Sequence, residues 1–251
     1  MTLAIIPCKH FSDTFYNSQG LFILPDFIMA QSSIVQTWSK FLFAGTVTVY
    51  VGPHRKKMEI HKKLLASISP ELNKLVNNDM KEGIEGVIHL PEEGEDLINL
   101  FTEWAYTGEY KMKEGQLSTT AKDPYMGMGQ LPQYRDIWSI LRMYLELYIF
   151  SDKFNIPTLM KLAKAKFYTE ISSITIAGDS HVLGLISILE YAYDKFSHSD
   201  PICLYLARDS ASKLKSLWRK DNFIKFASNR PEFMKEFLAN LTPRKVKAAP
   251  A

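Results

Sequence analysis

The chain has 251 residues, with 30 Lys plus Arg against 27 Asp plus Glu, so its formal net charge is only +3. That balance argues against a protein built around a polyanion, and a content of 46% hydrophobic and 12% aromatic residues separates it from chains that stay disordered. The longest apolar run, Gly20 to Ile28, is broken by Pro25 and Asp26 and falls short of the roughly 20 residues that span a bilayer.

Residues 1–29 alternate apolar scraps with turn formers and hold no period, so they read as a loose N-terminal extension. No basic segment precedes an apolar stretch there, and Pro7, Lys9 and His10 interrupt any signal-peptide core. Cys8 and Cys203 cannot make a disulfide framework. These features predict a reducing compartment, the cytoplasm and/or the nucleus.

From Ser32 the pattern becomes legible. Ile34, Val35, Trp38, Phe41 and Leu42 recur at helical spacing. Gly45 resets it, and Thr46-Val47-Thr48-Val49-Tyr50-Val51 is β-branched or aromatic throughout, which predicts a strand. Lys57 to His61 alternates in period two and predicts the return strand of a hairpin across a four-to-five-residue loop. Leu64, Leu65, Ile68, Leu72, Leu75 and Val76 then form an apolar stripe interrupted at Ser69-Pro70-Glu71. Ser as cap, Pro in the first helical position and Glu in the first turn is a restart signal, so two short helices abut there.

Val87 to Leu90 predicts a third strand, closed by Pro91. Glu95 and Asp96 open a helix with Leu97, Leu100, Phe101, Trp104 and Ala105 on one face, ended by Gly108 and followed by a short strand. Residues 111–136, rich in Gly, Pro, Ser and Thr, predict a long loop. Helical period returns at Ile137, Ile140, Leu141, Tyr144, Leu145, Tyr148 and Ile149, and Pro157 starts a further helix with Leu159, Leu162, Ala163 and Phe167. Beyond Gly178 the chain reads as helical to the end, through Val182 to Leu189, Leu206 to Trp218, and Phe233 to Leu238.

Three blocks of this sequence, in order, resemble a BTB/POZ domain. The first is Thr46-Val-Thr-Val-Tyr-Val-Gly with Met58-Glu-Ile-His-Lys-Lys-Leu-Leu-Ala-Ser-Ile-Ser-Pro-Glu-Leu; the second is Ala105-Tyr106-Thr107-Gly108-Glu109-Tyr110; the third is Leu147-Tyr148-Ile149-Phe150-Ser151-Asp152-Lys153-Phe154-Asn155-Ile156. The long loop and helical tail look most like the BTB proteins of filamentous fungi. The resemblance implies an α/β (α+β) fold: a small, mainly antiparallel sheet flanked by helices over 30–170, with an all-helical C-terminal extension and basic tail over 171–251. It makes His61, Ser69, Pro70, Gly108 and Asp152 structural motif positions. The family's Asp before the first strand is replaced here by Gly45 or Thr46, so the charged pocket that it lines in dimeric members is not expected.

The resemblance also implies a non-catalytic protein-interaction module. Ile34, Val35, Trp38, Phe41 and Leu42 would form the helix that packs on a second copy in a homodimer. Tyr106, Glu109, Tyr110 and Met112 would lie on the face where cullin scaffolds of ubiquitin ligases dock on some members. No cofactor, metal or membrane partner is implied.

Nothing in the residues points to an enzyme. His10, His54, His89, His181 and His198 have no Cys or carboxylate at metal-ligand spacing, and GxxxxGK[ST], GxGxxG and GxSxG are all absent. Charge is uneven along the chain: residues 79–109 hold nine acids against Lys81, a net of −8, and residues 211–251 hold ten bases against three acids, a net of +7. The alternative function is therefore a nucleic-acid-associated transcriptional regulator using the basic tail. No aromatics are interleaved with those cations in a recognition motif, so solvated helix faces account for them better.

Overall fold

A computed structural model describes residues 41, 43–77, 81–112 and 137–241. The expected extension over 1–29, most of the helix carrying Ile34, Val35, Trp38 and Leu42, the 113–136 part of the long loop, and the tail bearing Arg244, Lys245 and Lys247 lie outside the described residues.

Strand β1 (Thr46–Val51) and strand β2 (Lys56–His61) form an antiparallel hairpin, pairing Thr46 with His61 and Val51 with Lys56. The loop between them is four residues long. Gly52, at φ 68°, and Arg55, at φ 51°, turn the chain in the left-handed region, and the Arg55 N–H donates to the Gly52 carbonyl at 3.1 Å.

After β2 the chain crosses through α1 (Lys62–Ile68), α2 (Pro70–Asn77) and the short α3 (Lys81–Glu85) to β3 (Val87–Leu90). β3 lies beside β1 in parallel, Thr48 opposite Val87 and Val51 opposite Leu90, so the sheet order is β2-β1-β3. The sheet expected to be mainly antiparallel thus holds one antiparallel and one parallel pairing among the described residues. The helical crossover is the reason, because it returns the chain to the end of the sheet from which β1 starts.

Alternation sorts the two faces of the sheet. Val47, Val49, Val51, Ile60 and Ile88 are buried against helices, while Tyr50 and His89 stack on the other face with ring centroids 5.3 Å apart. Helix α4 (Glu95–Thr107) and helix α5 (Ile137–Lys153) bring Phe101 and Phe150 together under the sheet, centroids 4.9 Å apart. A void of about 20 Å³ remains there, lined only by apolar side chains including Val49, Leu72 and Phe150. It has no polar group to orient a ligand.

The remaining helices are α6 (Pro157–Ser173), α7 (Asp179–Lys195), α8 (Pro201–Ser212), α9 (Leu214–Leu217), α10 (Asp221–Ser228) and α11 (Pro231–Ala239). The extension therefore breaks at Lys213, within the single helix that the sequence pattern predicts from Leu206 to Trp218. It packs on the sheet domain through α5 and α6. Trp138, in the first turn of α5, lies so close to Gly184 of α7 that a Cβ at that glycine would fall inside the indole. Gly184 costs helix propensity in mid-helix and in exchange admits the ring.

Candidate functional site

The motif residues meet at the junctions of the sheet domain. His61 ends β2 and precedes α1, and its Nδ1 lies 2.7 Å from the Tyr106 hydroxyl near the C-terminus of α4. The His61 backbone N–H also donates to that hydroxyl at 3.2 Å. Tyr106 therefore accepts from the backbone and shares a second hydrogen bond with the imidazole, whose direction is set by the His61 tautomer. One side chain of the second block thus fixes the turn that ends the first.

Ser69 is the cap between α1 and α2. Its hydroxyl accepts from the Leu72 N–H at 3.0 Å, and Pro70 occupies the first helical position, where a missing N–H costs nothing. Gly108, at φ 79°, closes α4 by donating its N–H to the Trp104 carbonyl at 2.7 Å.

In the third block Asp152 acts through its backbone, its side chain being exposed. Asn155 is left-handed, at φ 50°, and donates to the Asp152 carbonyl at 3.0 Å, while Ile156 donates to the Ser151 carbonyl at 2.7 Å. This pair of bonds is a Schellman cap, and Pro157 starts α6 at once.

The candidate docking residues divide. Glu109 and Met112 are half-buried, and Tyr106 is half-buried and engaged with His61. Tyr110 is 0% exposed and offers no docking surface, contrary to expectation. Among the described residues the segment after Gly108 does not form the expected strand. Local side chains hold it instead: Glu109 Oε1 accepts from the Tyr110 N–H at 2.9 Å, and Lys166 of α6 donates to the Tyr110 carbonyl at 2.9 Å.

Lys166 also pairs with Glu109 at 2.7 Å and stands 4.5 Å over the Tyr110 ring. Among the described residues the Tyr110 hydroxyl has no hydrogen-bond partner, and burial pushes its pKa well above the usual tyrosine range, with Tyr144 and Glu109 adding to the effect. Of the candidate dimer helix only Phe41 is described, and it is buried. Two residues on, Phe43 is 98% exposed.

Some of the acids and bases that the sequence separates are neutralised close to home. Within the sheet domain Glu93 pairs with Lys153 at 2.7 Å and Glu95 with Lys56 at 2.7 Å. In the extension Lys220 pairs with Asp179 at 2.7 Å and Arg230 with Asp194 at 2.6 Å. Lys213 is half-buried, 2.6 Å from Asp209 and 2.7 Å from the Ile171 carbonyl at the end of α6. Burial still raises the Asp209 carboxyl above its usual range, desolvation outweighing the pull of Lys213. Three of the ten C-terminal bases are thus spent on internal contacts, which weakens the electrostatic footprint that a nucleic-acid site needs.

Among the described residues no cluster of three His, Cys, Asp or Glu side chains could hold a metal ion, and no helix is long and apolar enough to cross a membrane. Cys203 is buried, and desolvation pushes its thiol up to about 12, far from the range of a reactive thiolate.

No family model matches the chain. No curated protein matches it either. Among solved structures, the chain is similar to the BTB (Tramtrack and Bric a brac) domain of human gigaxonin at 11% identity and a TM-score of 0.35, over 60% of this chain and 98% of that one.

Sequence reasoning missed one polar contact within the extension and one apolar contact between extension and domain. The Lys213–Asp209 pair is readable only as an i, i+4 spacing, and the Trp138–Gly184 contact had no signal beyond a lone glycine in a helical stretch.

Proposed function

We propose that the chain is a non-catalytic protein–protein interaction module of BTB/POZ type, with a helical extension fastened to it. The observation that carries this reading is the His61–Tyr106 contact at 2.7 Å, which joins two of the three resembling blocks across 45 residues of sequence. A second support is the placement of two other motif residues at chain reversals where their types are favoured: Ser69 at a cap and Gly108 in the left-handed region.

In this reading the surface bearing Glu109 and Met112 docks a cullin-type scaffold, and the segment from Ile34 to Leu42 joins two copies. Pull-down of a cullin scaffold by the full chain tests the docking, with Met112→Ala expected to lower retention. No retention by the intact protein rejects the adaptor role. Tyr110→Ala is unsuited to this test, since a buried ring reports on folding. Light scattering tests the pairing, and a monomer at micromolar concentration rejects it.

A further inference from the structure

Helices α7 and α10 run side by side in one direction. Lys220, which precedes α10, pairs with Asp179 at the start of α7, and Arg230, which follows α10, pairs with Asp194 near the end of α7. One turn beyond the first ion pair, on the same face of each helix, lie Leu183 and Ile224. They are 51% and 48% exposed. Trp218, two residues before Lys220, is 52% exposed, and the Arg219 guanidinium lies 4.2 Å from its ring centroid. Leu183 and Ile224 are thus half-exposed one helical turn from this ion pair, and Trp218 is half-exposed two residues before it.

The charges at this edge have one sign in excess. From Lys215 to Lys225 the chain carries Lys215, Arg219, Lys220 and Lys225 against Asp221 alone. Lys220 is engaged by Asp179, but Lys215 and Lys225 form no ion pair among the described residues.

We propose that Leu183, Trp218 and Ile224, rimmed by Lys215, Arg219 and Lys225, dock a short acidic amphipathic segment of a partner protein. Charge complementarity selects the occupant: the apolar centre needs an apolar stripe, and the unpaired rim needs carboxylates. Trp and Arg are the residue types that most often dominate binding energy at such surfaces. A lipid surface fits less well, because α10 is only eight residues long and the cations do not form the dense cluster that anionic membranes attract. The proposal is independent of the Glu109 and Met112 face.

The test is fluorescence anisotropy on the full chain, with a labelled 14-residue probe peptide carrying Leu at helical spacing and Glu elsewhere. Binding is expected, weakened by about tenfold in Trp218→Ala and also weakened in the Lys215→Glu/Lys225→Glu double variant and at 500 mM salt. Because these side chains are exposed, the melting curves of the variants should overlay that of the parent. Four outcomes overturn the proposal: no binding, equal binding of a peptide with Lys in place of Glu, indifference to Trp218→Ala, or tighter retention on phosphatidylcholine–phosphatidylserine vesicles than on the peptide.

Discussion

Between Gly45 and Ser173 the polar side chains that matter sit at chain reversals: Ser69 caps α2, Tyr106 holds the end of β2, and Glu109 with Lys166 fixes the stretch after α4. From Asp179 onward the helices instead interlock through rings. Phe233 lies within 6.0 Å, centroid to centroid, of Tyr193, Phe223, Phe226 and Phe237, and Tyr168 of α6 stacks on Tyr205 of α8 at 3.8 Å. A cap or a left-handed turn demands a particular residue type, whereas an aromatic cluster accepts many rearrangements of similar volume. The first region therefore leaves a recognisable pattern in its sequence and the second leaves only helical periodicity.

The largest expected effect breaks that contrast, because it places an obligatory polar contact in the extension. Lys213→Ala strands the buried Asp209 carboxylate and the Ile171 carbonyl, and should cost about 3–5 kcal/mol in a denaturant titration. The paired change Asp209→Leu/Lys213→Met should recover most of that loss, since it removes the buried carboxylate together with its partner.

Next comes the seam between the regions. Gly184→Ala drives a methyl group into the Trp138 indole and should cost about 2 kcal/mol, an overpacking penalty set against a gain in helix propensity. Trp138→Leu in the same background should relieve it. If Gly184→Ala alone raises the melting temperature, the close contact at the seam is wrong.

Within the sheet domain, Tyr106→Phe removes the acceptor for the His61 N–H and the partner of the ring, and should cost about 1–2 kcal/mol in chemical unfolding with no change in helix content by circular dichroism. The smallest effect has the opposite sign. Tyr110→Phe deletes a buried hydroxyl that has no partner among the described residues and should stabilise by about 1 kcal/mol. A loss of stability instead would show that the hydroxyl is solvated.

The sheet domain was legible wherever local chemistry forces the choice of residue. Gly52 and Arg55 closed the hairpin as its four-to-five-residue loop required, and Ser69-Pro70-Glu71 divided two helices as its capping pattern implied. What periodicity could not supply was the direction of β3, since a four-residue apolar strand reads alike whether its neighbour runs parallel or antiparallel. The break after Ser212 was hidden for a different reason: Lys213 looks like a solvent-facing lysine until its amine is seen between Asp209 and the end of α6. Tyr110 was placed on the docking face by the resemblance alone, and the packing of its ring against Lys166 and Tyr144 turns it inward instead.

The strand order also sets the sequence of events during folding. The β1–β2 hairpin closes a four-residue loop, whereas β3 joins only after the crossover from Lys62 to Gly86, at an added loop-closure cost of about 1.6 kcal/mol. Until then β1, the central strand of the finished sheet, has one open edge, and its residues Thr46-Val-Thr-Val-Tyr-Val are all β-branched or aromatic. A nascent or truncated chain ending before Val87 therefore presents an uncharged edge of the kind that recruits other strands. The risk of aggregation in this protein is concentrated in the interval of synthesis between the hairpin and its third strand.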